Sequence, residues 1–311
     1  MIELPTKQFQ QLVPKLREEG FYQKQERRPI SWSEYTLAQI EDAKTTLAFI
    51  RDAVDSCYSL DLAGQVGRPL TNPKSLAKAV LFCEALGIPE RQAEGWIDLL
   101  GPFLGIHEHL DDWVIGEAYN RPEVAYILRQ VFNQSKTSDK LLSGDGTHLE
   151  TSRKQNYESN KKGGDQLTSI VDSREIVQAF DLNGKQECQA MHLLIQQVDG
   201  ESLRLDAGFV DRVLTRKIAE LGMIPFVFPK KSVVLNGSLA WKLMYLSLYN
   251  NVQEWLITYH QRSHTESFHS SFKRIFGIIT KIRFSCKLTQ VTARIIIHNF
   301  RKLSYYKRLQ N

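Results

Sequence analysis

Apolar positions in the first 135 residues recur at helical spacing. Leu37, Ile40, Leu47, Ile50 and Val54 fall on one stripe and predict a helix over 33–55, which Ser33 can cap. Gly64, Gly67 and Pro69 then break the chain. Asn72-Pro73 opens a second helix that runs to about Leu86, with Leu76, Val80 and Leu81 inward and Gly87 as its stop. Pro89 starts a third, ERQAEGWIDLL, closed by Gly101-Pro102. A short helix near Trp113–Tyr119 leads to Pro122 and a further helix through about Phe132. Short helices joined by Gly and Pro turns suit a helix-turn-helix DNA reader over residues 70–120, and equally a plain helical bundle.

After Lys140 the pattern changes. Leu141–Leu149 is a short apolar stretch interrupted by Gly144-Asp145-Gly146, and glycine inside a strand marks a bend or a close backbone approach. Leu167–Val171 and Glu175–Phe180 read as strands joined by a tight turn at Asp172-Ser173, so the three segments suggest an antiparallel meander. A helical connection around Cys188–Val198 follows. SLRLDAGF then puts Leu203 and Leu205 inward and ends at Asp206. Val210, Val213, Leu214, Ile218 and Leu221 have helical spacing up to Gly222, and Ile224–Phe228 is a last strand closed by Pro229. Three strands, helix, strand, helix, strand and then helices make an α/β fold: a mixed sheet with helices packed on it, preceded by an all-helical region. The expected division is a helical region over 1–135 and a second domain over 136–311.

With 42% hydrophobic and 24% charged residues, the 311-residue chain can bury a core and is not a disordered polyelectrolyte. The start, MIELPTKQFQQLVPKLREEG, lacks a basic-then-apolar leader pattern, and no run of about 18 apolar residues is present. Four cysteines without CxxC spacing argue against a zinc ribbon or a redox pair and fit a reducing cytoplasm. The net charge of +5 hides an asymmetry. From Trp255 to Asn311 eleven Lys and Arg face a single acid, Glu266, whereas the remainder is mildly acidic. Aromatic residues such as Tyr259, Phe268 and Phe272 are interleaved with those bases, which favours a folded polyanion-binding element over a basic tail.

Candidate chemistry concentrates there. In WLITYHQRSHTESFHSSFKRIFG, Tyr259, Arg262, Glu266 and Lys273 are separated by two, three and six residues, with Arg274 next to the lysine. Glu266 is either a helix ion-pair partner of Arg262, four residues away, or a metal ligand where a polyanion is bound. Asp145 and Asp206, each within two residues of a glycine and at or in a strand, lie about sixty residues apart, and Glu266 lies as far again beyond. Two strand carboxylates and one helix carboxylate suit Mg²⁺, and two such ions about 4 Å apart serve phosphodiester transfer.

These residues carry a family likeness. The chain resembles the DDE transposases of bacterial and archaeal insertion sequences. SGDGTHLE resembles their first-Asp strand, LRLDAGFVDRVLTRKIAELGMIPFVFPKK their second-Asp strand with its helix and next strand, and YHQRSHTESFHSSFKRIFG their Tyr, Arg, Glu, Lys signature. IPERQAEGWIDLLGPFLGI and TQVTARIIIHNFRKL resemble the flanking helices, so the likeness runs from about residue 70 to 305.

The resemblance implies a ribonuclease-H-like fold over 136–311, with basic C-terminal helices. It implies catalytic and metal-binding roles for Asp145, Asp206 and Glu266 with two Mg²⁺ ions, and Mn²⁺ as a substitute. DNA contacts would come from Tyr259, Arg262, Lys273 and Arg274, with Lys230 and Lys231 after the last strand as further backbone contacts. The expected activity is metal-dependent cleavage of double-stranded DNA at insertion-sequence ends and strand transfer into target DNA, by a homodimer or larger assembly at the nucleoid. The short linker between Asp206 and Glu266 has no room for a large β-rich insertion. Two other readings are weighed beside it. One is a DNA-binding protein that no longer cuts. The other is a zinc hydrolase using His260, His264 and His269, in which His260 and His264 would share a helix face; it lacks the HExxH pattern. His107 and His109, flanking Glu108, read as surface histidines.

Overall fold

A computed structural model describes residues 6–18, 30–58, 71–154, 162–183 and 186–309. Gly64, Gly67 and Pro69 lie outside them. The chain forms two compact units, each gathered from three stretches. One comprises Met1–Pro29, Thr137–His148 and Asp165–Ser271; the other comprises Ile30–Lys136, Leu149–Gly164 and Phe272–Asn311. No helix among the described residues is long and apolar enough to cross a membrane.

The chain opens with α1 (Thr6–Lys15), whose Phe9 and Val13 join the core of the sheet-bearing unit. The expected 33–55 helix is two helices, α2 (Trp32–Ile40) and α3 (Asp42–Asp55), broken at Glu41. Ser31, not Ser33, precedes the first. Its supposed apolar stripe is outward: Leu37 and Ile40 are exposed, and only Ile50 and Val54 of the five positions are fully buried. Helical spacing identified the helices but could not tell a buried stripe from a solvated one.

α4 (Pro73–Leu86) obeys the sequence signals closely. Asn72 Oδ1 accepts from Lys74 N at 2.9 Å, Pro73 needs no donor at the first turn, and Gly87 closes the helix at φ 66°. α5 (Glu90–Leu104) runs through Gly101-Pro102 and stops at Gly105, φ 65°. Gly101 is needed for packing rather than for a stop, since a Cβ there would lie 2.9 Å from the Ile106 carbonyl oxygen. α6 (Asp112–Ala118) and α7 (Pro122–Gln134) complete the N-terminal helices.

Next come β1 (Leu141–Lys154), β2 (Lys162–Val171) and β3 (Val177–Asn183). β2 and β3 are antiparallel, and their turn is held by Asp172, fully buried, whose Oδ1 accepts from the Arg174 and Ile176 amides at 2.8 and 2.9 Å. α8 (Glu187–Leu194) leads to β4 (Ser202–Leu205), α9 (Arg212–Glu220) and β5 (Ile224–Val227). The sheet order is β3-β2-β1-β4-β5, with β4 parallel to both β1 and β5. α9 buries Leu214 and Ile218, whereas Val213 and Leu221, part of the same helical spacing, are exposed. α10 (Leu239–Asn250), α11 (Val252–His260), α12 (Ser263–Phe276) and α13 (Phe284–Arg308) follow. A mixed five-stranded sheet flanked by helices, with a helical N-terminal region, is the α/β architecture expected of a ribonuclease-H-like transposase fold.

The helical unit is built around one buried acid. Glu84 on α4 accepts from Tyr119 Oη at 2.8 Å, Gln290 Nε2 at 2.9 Å and Arg294 Nε at 2.6 Å. Arg294 also donates to the Ile278 carbonyl at 3.0 Å, and Gln290 Oε1 accepts from Thr280 N at 3.0 Å. The network ties α13 to α4 and to the turn before α13. Removing one member of a buried charged pair leaves the other unpaired. Glu84→Ala is therefore expected to cost about 3–5 kcal/mol in urea unfolding, and Tyr119→Phe about 1 kcal/mol.

Candidate active site

The register of two parallel strands sets the centre of the site. Gly144 of β1 pairs with Leu205 of β4. The next residue on each strand is an acid, so Asp145 and Asp206 stand side by side where β4 ends and β1 continues. Both flanking glycines in β1 are close approaches. A Cβ on Gly144 would meet Met191 at 2.7 Å and Leu205 at 2.8 Å. A Cβ on Gly146 would collide with the Glu187 carboxylate. The sequence marked these glycines as a bend or an approach, and approach by α8 is what they permit.

Asp206 accepts from the Gly208 amide, which fixes its carboxylate at the start of the turn Ala207–Phe209. Asp145 accepts from the Gly146 amide at 2.9 Å. Burial pushes the Asp145 carboxyl up to about 6, against the pull of that amide and of Arg262, while Asp206 and Glu187 push it further up. Glu187, at the start of α8, is a fourth carboxylate beside the pair. It accepts from Gln166 Nε2 at 2.6 Å, and burial and Asp206 raise its pKa. Sequence reasoning missed Glu187; the bulk-free Gly146 facing it was the only signal.

The opposite charge comes from the signature segment. Arg262 lies in the turn between α11 and α12. Its Nη1 donates to Asp145 Oδ2 at 3.2 Å and its Nη2 to Glu266 Oε1 at 2.5 Å. Burial alone would weaken its charge, but Tyr259, Glu266, Asp145 and Asp206 around it together raise its pKa. The ion pair between residues 262 and 266 thus exists although a helix boundary falls beside it. Glu266, in the first turn of α12, is about half exposed and linked to Asp145 through Arg262. The ligand oxygens of Asp145, Asp206 and Glu266 do not gather within 4.8 Å of one another.

Two buried residues hold this segment against the sheet. Arg204 of β4, 2% exposed, donates to the Thr258 carbonyl at 2.8 Å and to the Leu142 carbonyl at 3.1 Å. Burial lowers its pKa to about 10. A strand read only for Leu203 and Leu205 gave no hint of this. Tyr259 is also buried, stacked on Trp255 at 5.3 Å and tilted against Phe228 at 5.0 Å. Burial pushes its phenol up to about 12, and its hydroxyl bonds Arg262.

Other candidates fall elsewhere. Lys230 and Lys231 are exposed just beyond β5, and Lys273 and Arg274 are exposed in the last turn of α12. His260 ends α11 and His264 belongs to α12, so the two do not share one helix. His269 shares a 2.9 Å hydrogen bond with Ser169. His109 bonds Asp98 at 3.0 Å and is exposed, as a surface histidine should be.

Among known proteins, the family model for the transposase DDE domain matches residues 136–300. No curated protein and no solved structure matches the chain. The matched stretch is more than half of the 311 residues and holds the whole acidic centre with its arginine, so the chain belongs to the DDE-domain transposases.

Proposed function

We propose that this chain is an active transposase, cutting DNA at the ends of its element and joining the 3′-hydroxyl to target DNA. The side-by-side Asp145 and Asp206, with Arg262 and Glu266 against them, is the observation that carries this reading. The donor set suits Mg²⁺, or Mn²⁺ in its place: hard carboxylate oxygens, partly exposed, with like charges crowded enough to raise Asp145 to about 6. Asp145, Asp206 and Glu266 would hold the ions, which when bound generate the attacking oxygen and stabilise the leaving one.

Arg262 would act as a stand-in cation until then. With Glu266 among the residues that would hold the metal, the Arg262 guanidinium would be free to grip a phosphate bidentately. Tyr259, buried and bonded to Arg262, would hold that arginine in place more than touch DNA itself. Lys230, Lys231, Lys273 and Arg274 would contact the phosphate backbone. Catalysis is assigned within 136–311 and further DNA contact to the helices of 1–135. Synapsis of two element ends calls for a homodimer or larger assembly, working on nucleoid DNA in the cytoplasm.

Labelled duplexes carrying the sequences that flank the gene test the chemistry. Wild type is expected to nick them in Mg²⁺ or Mn²⁺. Asp206→Ala should cut at least about 100-fold more slowly, which is about 2.7 kcal/mol of barrier, while binding equally well. Binding by both proteins with cutting by neither would favour a DNA-binding protein that has lost its chemistry.

Salt titration separates the backbone contacts. Replacing Lys230 and Lys231 with alanine should flatten the plot of log affinity against log salt by about two, and Lys273 with Arg274 likewise, across unrelated sequences. An unchanged slope would remove that pair from the interface.

Proton linkage tests Asp145. Its folded pKa lies above the ordinary value, from 3.8 to about 6, so the metal-free protein loses stability as pH rises through that window. The loss at neutral pH is up to about 3 kcal/mol. Asp145→Asn should therefore raise the melting temperature of metal-free protein at neutral pH, give little change near pH 4, and abolish stabilisation by Mg²⁺. Melting curves in chelator and in excess Mg²⁺ give both readouts.

A further inference from the structure

Cys188, His192 and Asp211 lie outside the proposed DNA-cutting chemistry, and their ligand atoms fall within 4.8 Å of one another. Cys188 and His192 are four apart on α8 and so share one face of the helix. Asp211 precedes α9. Its Oδ1 caps that helix, accepting from Val213 N at 2.7 Å and Leu214 N at 3.4 Å. The other oxygen, Oδ2, is turned to the trio, 3.0 Å from His192 Nε2 and 3.8 Å from Cys188 Sγ. Ligand distances of about 2.0–2.3 Å around a tetrahedral ion place neighbouring donors about 3.3–3.6 Å apart, which these separations nearly match. All three residues are partly exposed, so water can complete the coordination. Among the described residues this is the one His, Cys, Asp and Glu group at such spacing.

We propose that Cys188, His192 and Asp211 bind a Zn²⁺ ion, separate from the carboxylate centre. The donors decide the metal. A thiolate and an imidazole select zinc over magnesium, whereas Asp145, Asp206 and Glu266 offer hard oxygens alone. On binding, the Zn–S bond replaces the S–H bond and the proton passes to solvent; no electrons are transferred. His192 has Asp211 as its partner at Nε2, and its buried Nδ1 has none, so the ring is not committed to any group outside the trio. The cap on Asp211 Oδ1 orients the ligand from behind, as supporting hydrogen bonds do at metal centres.

The ion would tie α8 to the start of α9. Glu187 precedes Cys188 on α8, and Asp206 lies five residues before Asp211. The tie would fix the two elements that flank the acidic pair. The plain alternative is a His192–Asp211 ion pair beside an unreactive thiol.

The test uses the full chain and needs no DNA. Protein dialysed against excess Mg²⁺ is assayed for zinc, then exchanged with Co²⁺ and examined for the near-ultraviolet thiolate-to-cobalt charge-transfer band. One retained zinc per chain and a band that is lost in Cys188→Ser but kept in Asp206→Ala are expected. Loss of retained zinc in His192→Ala would complete the assignment. Asp211→Asn can weaken folding through the α9 cap, so the near-isosteric Cys188→Ser, checked by circular dichroism, is the deciding variant. No retained zinc and no band in wild type, or an undiminished band in Cys188→Ser, would overturn the proposal.

Discussion

The pairing of Gly144 with Leu205 is the constraint on which the site depends. A slip of one residue would turn either acid to the other face of the sheet. The register is fixed by packing on both sides of it. Leu142, Leu203 and Leu205 belong to one buried core with Met191 of α8, and Gly144 leaves just enough room for that methionine. Two like charges brought together this way are unfavourable, and burial raises the cost. Arg262 offsets it from outside the sheet, and Arg204 with Tyr259 keeps Arg262's segment in position.

The same economy of charge explains why a basic segment carries one acid. Glu266 and Asp145 share a single arginine, which offsets part of the negative charge of the site. Arg262 is held there by its bonds to Asp145 and Glu266. The helical unit makes the opposite choice. Glu84 and Arg294 are buried and fully bonded, with no group left for a ligand, and the pair serves the packing of α4 on α13.

Much of the architecture was legible. Asn72, Pro73 and Gly87 fixed α4 because caps act through bonds to neighbouring residues. Asp172 marked its turn for the same reason. Errors arose where a local signal competes with long-range packing. Gly101-Pro102 looked like a stop but lies within α5, since the helix ends only at Gly105. Leu37, Ile40, Val213 and Leu221 have the spacing of core positions and are exposed. Periodicity reports that a residue has a face; it cannot say whether anything covers that face.

By itself the sequence determined the order of strands and helices, the glycines around Asp145, the concentration of positive charge after Trp255 and the spacing of the Tyr, Arg, Glu and Lys signature. All of these are properties of neighbours along the chain. Only the tertiary structure decided that Arg262 bridges Asp145 and Glu266, that Arg204 and Tyr259 are buried supports, that Glu187 stands beside the acidic pair and that Cys188 and His192 meet Asp211. Apart from the Arg262–Glu266 and Cys188–His192 pairs, these groups meet across long stretches of chain. Their meeting is set by strand register and helix packing, which no local pattern encodes.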